Sequence, residues 1–278
     1  MKNIAIQLGR FVYRATPFRF LRKLYYQLFL ALVNGKKVTK QIDGSIYQLD
    51  LGEKIDVALF LGEFEKDLVG AIKQHCKPGM TVFDIGANIG AHALLFSKLV
   101  GERGHVYGFE PTEYAFKKLL ANIQLNSREN ISIYNLACSD RLAQENGVDF
   151  RSSWCTDGTR KDYPCTVFFE PLDHWIQDKE IESIDVLKLD VDGNEFSVLM
   201  GSKDTLKKYK PVIFLEVWGP NFKNDERNPF HFLEKEGYRF YSLDQATQYE
   251  SARSLASLVS SSDGKLLDFS VNIIAMKS

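Results

Sequence analysis

The period of apolar and polar positions changes along the chain, and the sharpest change falls between residues 81 and 111. Residues 81–85 form an apolar run broken by one acid, Asp84, and read as a buried strand. A glycine turn follows, Gly86-Ala87-Asn88-Ile89-Gly90, then a helix over 91–100 and a second strand over 105–109 that ends at Glu110 and Pro111. This is half of a nucleotide-binding βαβ unit. Upstream, residues 37–51 alternate around Asp43-Gly44 and predict a hairpin. Residues 55–60 and 64–75 read as helices, the second with Leu68, Val69 and Ile72 on one side. Together with the opening segment they predict a helical and hairpin cap, residues 1–78, ahead of a ligand-binding domain, residues 79–278.

Downstream, a helix is expected over 114–125, with Phe116, Leu119, Leu120 and Ile123 apolar, and a strand over 131–136. Short strands at 148–151 and 166–169 flank a polar loop, 152–163, which contains Trp154 and overhangs the site. A short helix opens at Leu172-Asp173, followed by strands over 184–189 and 211–217. A helix over 230–236 stops at Gly237 before a strand over 238–243. A serine-rich mobile excursion, 253–264, leads to a last strand over 269–276. The sum is an α/β fold with a seven-stranded, mostly parallel sheet and one antiparallel edge strand.

Composition narrows the class. An apolar fraction of 45% in 278 residues suffices for a large core. The net charge of −1 gives no phosphate-tracking signature, so no nucleic-acid partner is expected. Cys76, Cys138, Cys155 and Cys165 form no metal-spaced pair, and reduced thiols in a cytoplasm are the default. Residues 1–35 interleave Arg10, Arg14, Arg19, Arg22 and Lys23 with aromatic residues, and their longest apolar run is too short to span a bilayer. That segment either packs on the protein or a partner chain, or lies at a membrane interface as a peripheral contact.

The glycine turn carries the first candidate chemistry. A carboxylate at Asp84 repels a pyrophosphate, and Asp-x-Gly-x-Asn-x-Gly is not the Gly-x-Gly-x-x-Gly phosphate turn. The ligand expected beside it is cationic. Gly86 and Gly90 let the backbone turn tightly and approach a ligand, and Glu110 can accept from two ribose hydroxyls. A ribose without that phosphate, and a positive centre near an acid, fit S-adenosylmethionine. Glu65 either reaches the cofactor's amino group or simply supplies a helix-start charge. Asp140, at the end of the third strand, either accepts from the adenine amino group or caps a turn. His174 is a lone histidine and carries no assignment.

A second group of acids, Asp190, Asp192 and Glu195, crowds the end of the strand that carries Lys188, more than helix capping needs. These residues and Glu110-Pro111, Leu172-Asp173, Phe64-Glu65 and the run Val82-Phe83-Asp84-Ile85-Gly86-Ala87-Asn88-Ile89-Gly90 resemble FkbM-type methyltransferases. The likeness covers roughly residues 43–217, with the motifs in the family's order. It implies a Rossmann-like class I S-adenosylmethionine-dependent O-methyltransferase acting on sugar hydroxyls of glycans, glycolipids and natural products. Carried over, Asp84, Gly86, Asn88 and Gly90 correspond to the cofactor turn, Glu110 to the ribose acid, and Lys188, Asp190 and Glu195 to the active-site segment. Asp192 stands where Glu is typical, and Asn194 where a small residue is typical.

Methyl transfer to an alcohol requires loss of its proton, to a carboxylate or under the influence of a divalent metal. Asp190 is the first choice for base or metal ligand, with Glu216 completing a site for Mg²⁺ or Mn²⁺. Trp154 and Trp218 offer flat faces for a sugar ring. The rival readings are a non-sugar acceptor, a non-catalytic S-adenosylmethionine-binding module, and a nicotinamide oxidoreductase, which would need the absent three-glycine turn.

Overall fold

The computed structural model describes residues 26, 28–33, 35–261, 265–266 and 270–277. The basic aromatic opening lies, over residues 1–25, outside the described residues. The hairpin β1 (Lys37–Ile42) and β2 (Ser45–Asp50) turns through Asp43 and Gly44, both at positive φ, the geometry of a two-residue hairpin loop. Helices α1 (Lys54–Leu61) and α2 (Lys66–His75) complete the cap. Then come β3 (Thr81–Ile85), α3 (Ala91–Val100), β4 (His105–Phe109), α4 (Glu113–Gln124) and β5 (Ile131–Tyr134).

The middle of the chain forms β6 (Ala137–Cys138), β7 (Ala143–Val148), β8 (Cys165–Glu170) and α5 (Leu172–Asp178). It continues with β9 (Val186–Leu189), α6 (Glu195–Met200), α7 (Lys203–Tyr209) and β10 (Val212–Trp218). The last elements are α8 (Pro229–Lys235), β11 (Tyr238–Tyr241), β12 (Gln248–Tyr249), α9 (Ala252–Leu255) and β13 (Ser270–Lys277).

The main sheet has eight strands in the order β12-β11-β13-β10-β9-β3-β4-β5. β12, only two residues long, is the strand beyond the expected seven. β13 runs antiparallel to both of its neighbours, β10 and β11. The long antiparallel strand, β13, is therefore inside the sheet, because the chain passes over one position after β10 and returns to fill it last; the edge itself holds only the two-residue β12, antiparallel to β11.

Side chains alternate across the sheet with the two-residue period of a strand. Phe83, Ile85, Leu187, Leu189, Ile213 and Leu215 pack with Trp175 and Phe230 on one face. Val82, Val186, Phe214 and Ile274 meet Leu68, Ile72 and Phe96 of α2 and α3 on the other. Burial on both faces explains why these strands read as continuous apolar runs. The cap's own core, Leu49, Leu51, Val57 and Phe60, runs on into Ile89 and Leu94, so the hairpin rests directly on the glycine turn and α3.

Two expectations fail away from the sheet. Residues 149–151 carry no strand: the strand ends at Val148, and β6, β8 and β7 form a separate small sheet. Within the serine-rich stretch Leu255 and Val259 are fully buried, as is Ala252 just before it, and Ser251 caps α9. Its apolar positions hold it against the main core. Over residues 253–261 that stretch is packed structure rather than an excursion.

Candidate active site

A cavity of about 680 Å³ opens at the carboxyl ends of the central parallel strands, where open α/β sheets bind ligands. Ile85, Phe109, Asp190 and Trp218 place β3, β4, β9 and β10 at its wall. The glycine turn, Glu65 and His92 form one side, and the loop through Phe150, Arg151, Ser152 and Trp154 forms another.

Asp84 does not face this cavity. It is 0% exposed and stands opposite Lys188 across the parallel β3–β9 pair. Its Oδ1 lies 3.4 Å from Lys188 Nζ, and neither carboxylate oxygen has a hydrogen bond within hydrogen-bonding geometry. The positive centre expected at Asp84 is thus the chain's own lysine. Lys188 also meets Asp190 at 3.2 Å and donates to the Gly86 carbonyl at 3.3 Å. Burial disfavours its ammonium, but Asp190, Asp84 and Glu65 outweigh that and raise its pKa above the ordinary lysine value.

Gly86 is required for a reason other than ligand approach alone. It has positive φ, and a Cβ there would lie 1.8 Å from the Asp190 carbonyl oxygen. The absence of a side chain lets the ends of β3 and β9 close on each other. Gly90 lies outside the cavity wall, where a Cβ would strike Leu119 Cδ1 at 2.6 Å. Asn88, also at positive φ, donates its backbone N–H to Glu110 Oε2 at 3.0 Å. Glu110 lines the cavity; its Oε1 accepts from the Thr112 N–H and hydroxyl, and Oε2 keeps lone-pair capacity beyond the Asn88 bond.

Glu65 lines the cavity from a strained backbone at φ 37°. Its Oε1 accepts from Asn272 Nδ2 at 3.0 Å. Oε2 stands 3.2 Å from His92 Nε2 without hydrogen-bond geometry, and both atoms are buried and unsatisfied. Burial, reinforced by the Lys188 charge, holds His92 neutral by lowering its pKa well below the usual histidine value. A cationic N–H donor from a ligand would complete Glu65. The site therefore fits an ammonium-bearing cofactor at Glu65, not at Asp84.

The remaining expected residues divide. Asp190 lines the cavity, and a carboxylate oxygen from each of Asp190, Asp192 and Glu216 falls within 4.8 Å of the others. Burial and the Asp190 charge push Glu216 up to about 8. Glu195 is turned away: Oε1 accepts from the Val191 and Gly193 N–H groups, and Oε2 from Asn221 Nδ2 at 2.9 Å. It holds the turn that presents Asp190 and Asp192. Asp140 lies outside the wall beside Arg141, whereas Ala137, Cys138 and Ser139 line it. Trp154 is covered on one side by the Arg151 guanidinium, 4.3 Å from its ring centroid. A Cβ at Gly193 would come within 3.2 Å of the Trp218 ring, so backbone closely covers part of it. Sequence reasoning missed His92 and Arg151, and counted Asp192 among the clustered acids without placing it beside Glu216; a histidine one residue into the helix after the turn is the signal that could have found the first.

A sequence profile described as "Methyltransferase FkbM domain" matches residues 84–240, which contain the end of β3 and all of β4, β9 and β10. "2-O-methyltransferase NoeI" of Sinorhizobium fredii is 29% identical over 151 residues, covering 48% of this chain and 61% of that protein. "Hexuronic acid methyltransferase AglP" of Haloferax volcanii is 27% identical over 154 residues, covering 54% of this chain and 61% of that protein. The chain thus spans about three-fifths of the length of these relatives. A solved methyltransferase FkbM from Methylobacillus flagellatus superposes with a TM-score of 0.45 at 14% identity, covering 71% of this chain and 43% of that one. The profile match takes in more than half of the 278 residues, and the chain belongs to the methyltransferase FkbM domain family.

Proposed function

We propose that this chain is a class I S-adenosylmethionine-dependent O-methyltransferase that methylates a hydroxyl of a sugar in a glycan, glycolipid or natural product. The observation that carries this reading is the family match over the segment that builds the cavity floor and the Lys188–Asp190 strand end. O-methylation is supported by the similarity to the 2-O-methyltransferase NoeI, and a sugar acceptor by the similarity to the hexuronic acid methyltransferase AglP. In this reading residues 1–78 are a cap and residues 79–278 the catalytic domain.

When bound, the cofactor would supply a methyl carbon on a sulfonium, which the acceptor oxygen would take in line as the carbon–sulfur bond breaks and S-adenosylhomocysteine leaves. Glu65 would hold the cofactor's ammonium, Glu110 its ribose hydroxyls, the Gly86–Asn88 backbone its length, and the 137–139 edge its base. Asp190 accepts the proton that leaves the acceptor hydroxyl as the oxygen–carbon bond forms. Lys188, anchored by Asp84, holds that carboxylate at the cavity wall, so the residues act mainly by positioning. Glu195 and Gly90 shape the turns on which these groups stand.

The three carboxylates of Asp190, Asp192 and Glu216 also favour a metal-assisted version. Oxygen donors suit Mg²⁺ or Mn²⁺, which would offset their mutual repulsion and lower the pKa of an acceptor hydroxyl. Four free cysteines, three of them buried, support the cytoplasmic location. No helix among the described residues is long and apolar enough to cross a membrane, and any peripheral lipid contact is assigned to residues 1–35. The test is Asp190→Asn in an assay of methyl transfer to sugar acceptors: turnover is expected to vanish while S-adenosylhomocysteine still binds. Turnover retained in that variant would remove Asp190 from the chemistry.

A further inference from the structure

The cavity wall carries three permanent cations, Arg141, Arg151 and Lys188. Lys188 is committed to Asp84 and Asp190, and Arg141 to Glu145 at 2.7 Å. In the overhanging loop, Arg160 pairs with Asp149 and Asp162, and Lys161 with Asp50 and Glu53. Among the described residues of this wall and loop, Arg151 alone of the lysines and arginines has no carboxylate partner. Its Nε donates to the Ser153 carbonyl at 3.3 Å, and its guanidinium lies over Trp154.

We propose that Arg151 receives an oxyanion on the acceptor, a carboxylate or a phosphate, so that the sugar methylated here is an anionic one. This rests on the methyltransferase reading for the identity of the acceptor, and deepens it. A stacked guanidinium has its plane fixed by the indole, and its remaining N–H donors form a fork suited to two oxygens. Glu145 and Asp149, which also line the cavity, are already paired with Arg141 and Arg160. The positive charge at Arg151 is left for a ligand.

The loop holding it is fixed in advance. Buried Asp162 accepts from the Ser152 and Ser153 N–H groups and from Ser153 Oγ at 2.6 Å. Lys54 N donates to the Trp154 carbonyl at 2.7 Å, Thr156 N to the Gly52 carbonyl at 2.8 Å, and Lys161 reaches Asp50 at 2.8 Å. The cap and the loop are thus stapled together, and little ordering cost remains when an anion arrives. Arg151 is an exposed residue, and its place is on the wall of the cavity that also holds Asp190 and Trp218.

The test uses the full chain with and without S-adenosylhomocysteine, titrated calorimetrically with methyl glucopyranosiduronate, glucose 1-phosphate and methyl glucopyranoside. At least one anionic probe is expected to bind about tenfold or more tighter than the neutral glycoside. Arg151→Gln should erase that preference, and Arg151→Lys should restore part of it. Preference for the uronate identifies a carboxylate acceptor, and preference for the sugar phosphate a phosphate. Equal binding of all three probes, no binding of either anion, or a preference unchanged in Arg151→Gln overturns the proposal. Failure of S-adenosylhomocysteine to bind strikes the cofactor reading instead, since anion selectivity is read separately without it.

Discussion

Asp84 and Lys188 sit opposite each other on adjacent parallel strands, 3.4 Å apart and out of contact with solvent. This pair ties β3, which leads into the glycine turn, to the strand end that presents Asp190. Breaking one partner of such a buried pair leaves a charge without compensation, which typically costs about 3–5 kcal/mol. Lys188→Met should lose stability on that scale in urea denaturation, and Lys188→Met with Asp84→Asn should recover part of it. Equal stability of the single and double variants would show that the pair is not the linkage described.

Closure of the β3 and β9 ends leaves no room at residue 86. Gly86→Ala would place a methyl 1.8 Å from the Asp190 carbonyl at a positive φ, and should cost about 3 kcal/mol or more. A melting temperature within a degree or two of the parent would contradict the close approach.

Glu65 Oε2 is a buried cavity-lining oxygen without a hydrogen bond. Glu65→Gln should weaken S-adenosylhomocysteine binding by about tenfold to a hundredfold, with the fold retained by circular dichroism. Unchanged affinity would move the ammonium site elsewhere.

Glu216, at about 8 in the folded chain, holds its proton over a range in which an unfolded chain, near pKa 4.3, has released it. The folded state binds one more proton there, so this group's contribution to stability falls as pH rises from about 4.5 to about 8 and then levels off. In chelator-treated protein, Glu216→Gln should gain melting temperature over the parent as pH rises through that window. A difference between the two that does not change with pH would contradict it.

Most of the fold was legible because the central strands are buried on both faces and their apolar runs are unmistakable. β3, α3 and β4 fall at the expected residues. What the pattern could not show was pairing across distance. Asp84 looked like a ligand's acid because its partner lies 104 residues away, which no local period reveals. Glu195 and Asp190 read alike as clustered acids, and only the turn's N–H groups separate the one that shapes the turn from the one in the cavity. β13 filling an inner position was hidden for the same reason: a strand's neighbours are set by the return path of the chain, not by its own residues.

The most direct measurement is calorimetric titration of S-adenosylhomocysteine into the purified chain, with and without Mn²⁺, and with NAD as the control. One-to-one binding of S-adenosylhomocysteine, weakened in Glu65→Gln and Glu110→Ala and absent for NAD, is the predicted result. Binding of NAD in its place, or no binding of S-adenosylhomocysteine under either condition, would contradict the cofactor assignment.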